Sequence, residues 1–182
     1  MAAVPIPTIL SCLPDICELI NRTPHFYLHS AHQVGQAWIV SINLSPEDKS
    51  EIFGDYDPAQ YDDEAQLRWG QSEAYTESKR RTSSYSKQDW LRIQDEAEGI
   101  EREFLAAMTA GVSSDDPLAK SLAEKHRLHI DRYFYPCSFE MHTGLAQMYV
   151  SDPRFTTHYD KHGAGLAVYI HEAIIANALD HS

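Results

Sequence analysis

Three features of the sequence after residue 45 predict an all-α fold. Capping oxygens stand directly before prolines, glycines follow at helix-like distances, and apolar residues recur at intervals of three and four. Ser45-Pro46, Asp57-Pro58, Asp116-Pro117 and Asp152-Pro153 are each an N-cap followed by a proline, whose missing N–H a helix does not need at its first position. Gly54, Gly70, Gly111 and Gly163 stand where a left-handed residue is expected to stop a helix. Ser72 and Ser86 add two further caps, the second with Asp89 at N3 as a capping-box variant.

These signals place helices over 46–53, 58–69, 73–84, 87–110, 117–134, 139–151, 153–162 and 164–180. The helix over 87–110 carries the clearest stripe, with Trp90, Ile93, Ala97, Ile100, Phe104 and Met108 on one side and Arg92, Asp95, Glu96, Glu101 and Arg102 on the other. The helix over 117–134 sets Leu118, Leu122, His126, His129, Ile130 and Tyr133 on one side. The last helix does the same with Leu166, Tyr169, Ile170, Ala173, Ile174 and Asn177. No strand signal of comparable quality follows residue 45.

The chain of 182 residues is long enough for one hydrophobic core, and its 43% hydrophobic content is ordinary for a globular domain. No apolar run reaches the length of a membrane helix. Val4 to Leu13 is broken by Pro5 and Pro7 and lacks a basic flank, so it reads poorly as a signal peptide, and a cytoplasmic location is expected. A net charge of −12 argues against a binder of phosphate backbones. Three cysteines, an odd number, fit a reducing compartment. Residues 1–44 hold Pro5, Pro7, Pro14 and Pro24 and only three charged residues (Asp15, Glu18 and Arg22), without a sustained period. They read as a poorly ordered or loosely packed extension, preceding a domain over 45–182. Cys12 and Cys17, with His25, His29 and His32, lack the second pair that a zinc site of this spacing needs.

The chemistry-bearing residues concentrate around Pro136. Tyr133, Phe134, Tyr135, Phe139, Tyr149 and Phe155 straddle the break between two helices, with Met141 and Met148 beside them. Aromatics that do not follow a single helical face, together with adaptable methionines, suit a cleft for a bulky apolar ligand. His126, His129 and His142 read either as satisfied buried histidines or as polar contacts in that cleft. Cys137 immediately precedes Ser138, the expected N-cap of the helix over 139–151, and the positive end of that helix favours a thiolate. No oxyanion-hole turn or recognisable thiol-enzyme signature surrounds it, so no enzyme is expected. His158 and His162 are spaced to chelate a metal, but neither H-E-x-x-H nor a nearby third ligand accompanies them. No metal and no cofactor are expected.

The segments D-Y-D-P-A-Q-Y-D-D-E-A, R-W-G, A-Y-T-E-S-K-R-R-T-S-S-Y-S-K-Q-D-W, E-M-H-T-G-L-A-Q-M-Y-V-S-D-P-R-F-T and G-L-A-V-Y-I-H-E-A-I-I-A-N-A follow one another between about Ile42 and Leu179. In that order and spacing they resemble the TipAS family, the antibiotic-recognition domain at the C-terminus of some MerR-type transcription activators, also made as a free domain. The resemblance implies a globin-like helical fold with a cleft for cyclic thiopeptides such as thiostrepton. It further implies that the helices before the long one are loosely ordered until ligand folds them down. Trp69, Tyr75 and Tyr85 would then close over the ligand, while His129, Tyr133, Tyr135, Cys137, Phe139, Met141, His142 and Tyr149 would line the cleft.

Two departures bear on what the resemblance carries over. Residues 1–44 have no counterpart of the helix-turn-helix head, so direct nucleic-acid binding by this chain is not expected. Thiopeptide-trapping relatives can carry two cysteines seven residues apart, whereas this chain has Cys137 and then Gly144. Reversible binding by a monomer is therefore expected, as sequestration or sensing of a thiopeptide-like or other bulky apolar antibiotic. The alternative is a MerR-type regulator acting through a separate DNA-binding part.

Overall fold

The computed structural model describes residues 44–53 and 62–181, which form eight helices and no strand. These are α1 (Pro46–Phe53), α2 (Asp62–Trp69), α3 (Glu73–Thr82), α4 (Lys87–Thr109), α5 (Pro117–Tyr133), α6 (Phe139–Ser151), α7 (Pro153–Asp160) and α8 (Leu166–Leu179). The expectation for residues 1–43, the Gly54 stop and the Asp57-Pro58 cap lie outside the described residues.

Each described cap acts as its sequence predicts. The hydroxyl of Ser45 accepts from Asp48 N–H, Ser72 from Tyr75 N–H and Ser138 from Met141 N–H. Asp116 and Asp152 accept from Leu118 and Arg154 N–H ahead of Pro117 and Pro153. Ser86 and Asp89 form the reciprocal capping box that opens α4. Such caps satisfy backbone donors that have no partner inside the helix.

The glycine stops need one correction. Gly111 does take the left-handed conformation, at φ 75°, but Gly70 and Gly163 do not. Gly163 serves close packing instead, since a Cβ there would meet Leu105 Cδ1 at 2.5 Å. The second left-handed residue is Gly165, at φ 87°, immediately before α8. Gly165 has no side chain to cap that helix, and Asp160 does so from the end of α7, accepting from Ala167 N–H at 3.0 Å. Its carboxylate also complements the positive helix end.

The core lies where α4, α5 and α6 pack around α8. Alanines at 0% exposure, Ala119 and Ala123 on α5, Ala146 on α6, Ala167 and Ala173 on α8, let the backbones approach. Trp90, Ile93, Ile100 and Phe104 bury the predicted stripe of α4, whereas Ala97 and Met108 remain at its margin. Outside this centre, Ile52 is the one core residue among the described side chains of α1, which is tied to α4 by Lys87, whose Nζ lies 2.7 Å from both Asp48 and Glu51. On α3 the buried residues are Tyr75, Ser78 and Thr82.

Candidate binding cleft and its aromatic wall

The residues expected to line one cleft separate into three environments. The first surrounds α3. An open cleft of about 660 Å³ is lined by Asp63, Gln66, Leu67, Gly70, Gln71, Tyr75, Thr76 and Lys79, from α2, α3 and the turn between them. That volume lies within the range of small-molecule pockets. Tyr75 is nearly buried, Trp69 ends α2 one residue before Gly70, and Leu67 is 88% exposed.

The far end of α3 is fastened to the C-terminus of α5. Arg81 Nη1 donates to the carbonyls of Asp131 (2.5 Å) and Arg132 (3.1 Å), and Tyr85 Oη donates to the carbonyl of Tyr133 (2.7 Å). A helix leaves its last four carbonyls without internal partners, and the arginine also complements the negative end of the dipole. Glu77 positions this arginine, accepting from both Arg80 and Arg81, which hold its carboxyl down at about 2.

Beside that fastening, Tyr133 Oη donates to Glu96 Oε2 at 2.8 Å, and His129 Nδ1 lies 3.4 Å from Glu96 Oε1. Burial pushes the Glu96 carboxyl up, but the contacts from Tyr133 and His129 outweigh it and hold it below the ordinary range. Burial lowers His129, partly offset by Glu96. Tyr85 stands edge-on to Trp90, with centroids 5.6 Å apart. Tyr85, His129 and Tyr133 are thus brought together, around a glutamate that sequence reasoning placed only on the polar side of α4.

The second environment is the interior. Tyr135, Cys137 and His142 are each 1% exposed, and Tyr149 is buried against Phe155 and Tyr159 at 5.5 and 5.1 Å. His142 Nε2 lies 2.8 Å from His126 Nδ1. The expected thiolate at Cys137 is overturned, because burial pushes the thiol up to about 12, outweighing nearby Arg127. The backbone of Cys137 is held on both sides, its N–H donating to Asp131 Oδ1 at 2.9 Å and its carbonyl accepting from Arg127 Nη1.

The third environment is the start of α6. Phe139 is stacked on His181 at 4.4 Å with the Arg127 guanidinium 4.6 Å from its ring centre, and Met141 is 39% exposed. Arg127 is itself paired through two bonds with Glu124, which also accepts from Asn177. Among the described residues, no group of three His, Cys, Asp or Glu side chains is arranged to hold a metal ion. No described helix is long and apolar enough to cross a membrane.

The family model of the TipAS antibiotic-recognition domain matches residues 61–177. The chain belongs to this family. It is 50% identical over 153 residues to the HTH-type transcriptional activator TipA of Streptomyces coelicolor, covering 84% of this chain and 60% of that protein. It is 37% identical over 115 residues to the HTH-type transcriptional activator mta of Bacillus subtilis, covering 63% of this chain and 44% of that protein. The chain thus spans about half to three-fifths of these relatives. Among solved structures, TipAS from Streptomyces lividans in complex with nosiheptide matches with a TM-score of 0.72 and 52% identity, over 78% of this chain and 99% of that one. The all-helical fold of this TipAS domain is therefore the one expected from the resemblance.

Proposed function

We propose that this chain is a thiopeptide-binding module, with residues 45–182 as its binding domain. The observation that carries this reading is the 52% identity and TM-score of 0.72 to a TipAS chain in complex with the thiopeptide nosiheptide. The open cleft between α2 and α3 supports it, as does the placement of Tyr85, His129 and Tyr133 where α3 is fastened to α5. Trp69, Tyr75, Phe139 and Met141 supply further apolar surface, whereas Tyr135, Cys137, His142 and Tyr149 act from behind, as the packed wall on which the binding surface rests. Binding is reversible and non-catalytic, because the Cys137 thiol is enclosed and protonated and has no base aimed at it.

The role of such binding is sequestration or sensing of the antibiotic by a cytoplasmic monomer. The relatives TipA and mta, both HTH-type transcriptional activators, favour a second reading, in which the same module reports antibiotic to a DNA-binding part. A thermal-shift titration with nosiheptide tests the first claim. Ligand at about a hundred times its Kd stabilises the bound state by ~2.7 kcal/mol. No shift at saturating nosiheptide would overturn it. Capture of a DNA-binding partner by the chain, with and without nosiheptide, separates regulation from sequestration, which needs no such partner.

A further inference from the structure

The side chains of His126 and His142 cap no helix, and the binding surface proposed above rests on His142 only from behind. His126 lies in the middle of α5 and His142 in the first turn of α6, on either side of the turn that holds Cys137. Their ring nitrogens approach to 2.8 Å, and the rings stack at 5.1 Å with 28° between planes. An N–H···N bond between imidazoles needs one nitrogen bare, so the neutral pair is held by a bond that two imidazolium rings cannot form. His142 is 1% exposed, and the rings of Tyr149 and half-buried His126 stand perpendicular at 6.0 Å.

We propose that the His126–His142 pair is an acid-released fastener between α5 and α6, whose protonation loosens the intervening turn and uncovers Cys137. This holds whatever ligand the domain takes. The groups facing the pair are Glu101 from α4, Arg127 and His129 from α5, and Tyr149 from α6, with Tyr159 of α7 behind Tyr149. Arg127 opposes protonation of His142, and His129 that of His126. Glu101 is the one carboxylate among them that favours an imidazolium at His126. Desolvation prevails in both rings, lowering His126 from 6.5 to about 4 and His142 well below its ordinary value. A depressed histidine contributes its full stability above the unfolded value of 6.5 and loses it as the pH falls towards the folded value. Across that window His126 alone shifts the closed-to-open ratio by about 10²–10³-fold.

The test uses the full chain with Cys12→Ser and Cys17→Ser, so that Cys137 alone reports. Its reaction with 4,4′-dithiodipyridine is normalised to the denatured chain at each pH. Protection of Cys137 is expected to fall by at least about tenfold between roughly pH 7 and 5 while the helical signal persists. In His142→Gln and His126→Gln, which keep a hydrogen-bonding group but remove one titrating ring, the fall should shrink. Protection that is independent of pH, or a fall undiminished in both variants, overturns the proposal. Should the variants not fold, ring-nitrogen NMR of the unsubstituted chain decides. Two neutral rings at pH 7 sharing a proton and titrating below about 5 support the fastener, and a free-imidazole titration in either ring refutes it.

Discussion

Tyr85, just beyond α3, donates its hydroxyl hydrogen to the carbonyl of Tyr133 at the last residue of α5, 48 residues away in sequence. With Arg81 on the two preceding carbonyls, this contact joins the segment that lines the cleft to the core helix carrying His129 and Tyr133.

Removing that joint should be measurable before any ligand is added. Tyr85→Phe is expected to cost about 0.5–1.5 kcal/mol, the net worth of a neutral hydrogen bond. Arg81→Ala should cost about 1.5–3 kcal/mol, since the guanidinium makes a charged hydrogen bond to the part-buried Asp131 carbonyl as well as one to Arg132. Urea unfolding gives both numbers. A neutral Arg81→Ala would mean that α3 docks through Tyr75, Ser78 and Thr82 alone.

Stability should not be uniform along the chain. Among the described side chains of α1 only Ile52 reaches the core, and Leu67 of α2 is almost fully exposed, whereas α4 and α8 bury most of one side. Amide exchange in the free protein is therefore expected to be fastest in α1 and α2, intermediate in α3 and slowest in α4 and α8. Nosiheptide should slow the first three selectively. Equal protection in the free and bound states would indicate a preformed site.

How much of this was legible in the sequence depends on the range of each interaction. The caps at Ser72, Ser86, Asp116, Ser138 and Asp152 are made within three residues, and each could be read directly. The stripe of α4 was equally plain. The role of Glu96 was not, because its partners His129 and Tyr133 lie on another helix and its own neighbours mark a solvated face. Cys137 misled for a related reason. The helix N-terminus beside it is visible in sequence, whereas the enclosure that raises its pKa comes from tertiary packing. Gly163 and Gly165 both suit a helix stop, and only the packing of Leu105 assigns them different tasks.

Leu67 offers a way to separate binding from folding. It lines the cleft yet is 88% exposed in the free protein, so its side chain contributes little to stability. Leu67→Asp should leave the urea midpoint within error and weaken nosiheptide binding by about 1–3 kcal/mol, as for an apolar contact desolvated by ligand. Calorimetry showing full affinity would move the ligand away from the α2–α3 cleft. Tyr135→Ala is the converse case. At 1% exposure its loss should cost about 3–5 kcal/mol of stability, so a binding defect in that variant would not by itself assign Tyr135 to the ligand.

The last prediction concerns the thiol of Cys137. Relative to an ordinary value of 9.0, a pKa near 12 lowers the thiolate fraction at neutral pH by about 10³, before any steric protection is counted. In the native protein at neutral pH, iodoacetamide should therefore label Cys137 far more slowly than it does in urea. Thiopeptides carrying dehydroalanine are electrophiles that a thiolate would add to, forming a carbon–sulfur bond while the adjacent carbon takes up a proton. The thiol of Cys137 is enclosed, and its raised pKa keeps it protonated. Intact mass spectrometry after incubation with nosiheptide and denaturation should accordingly return the unmodified mass. A stoichiometric adduct on Cys137 would show that ligand binding opens this wall and makes the thiol a trap.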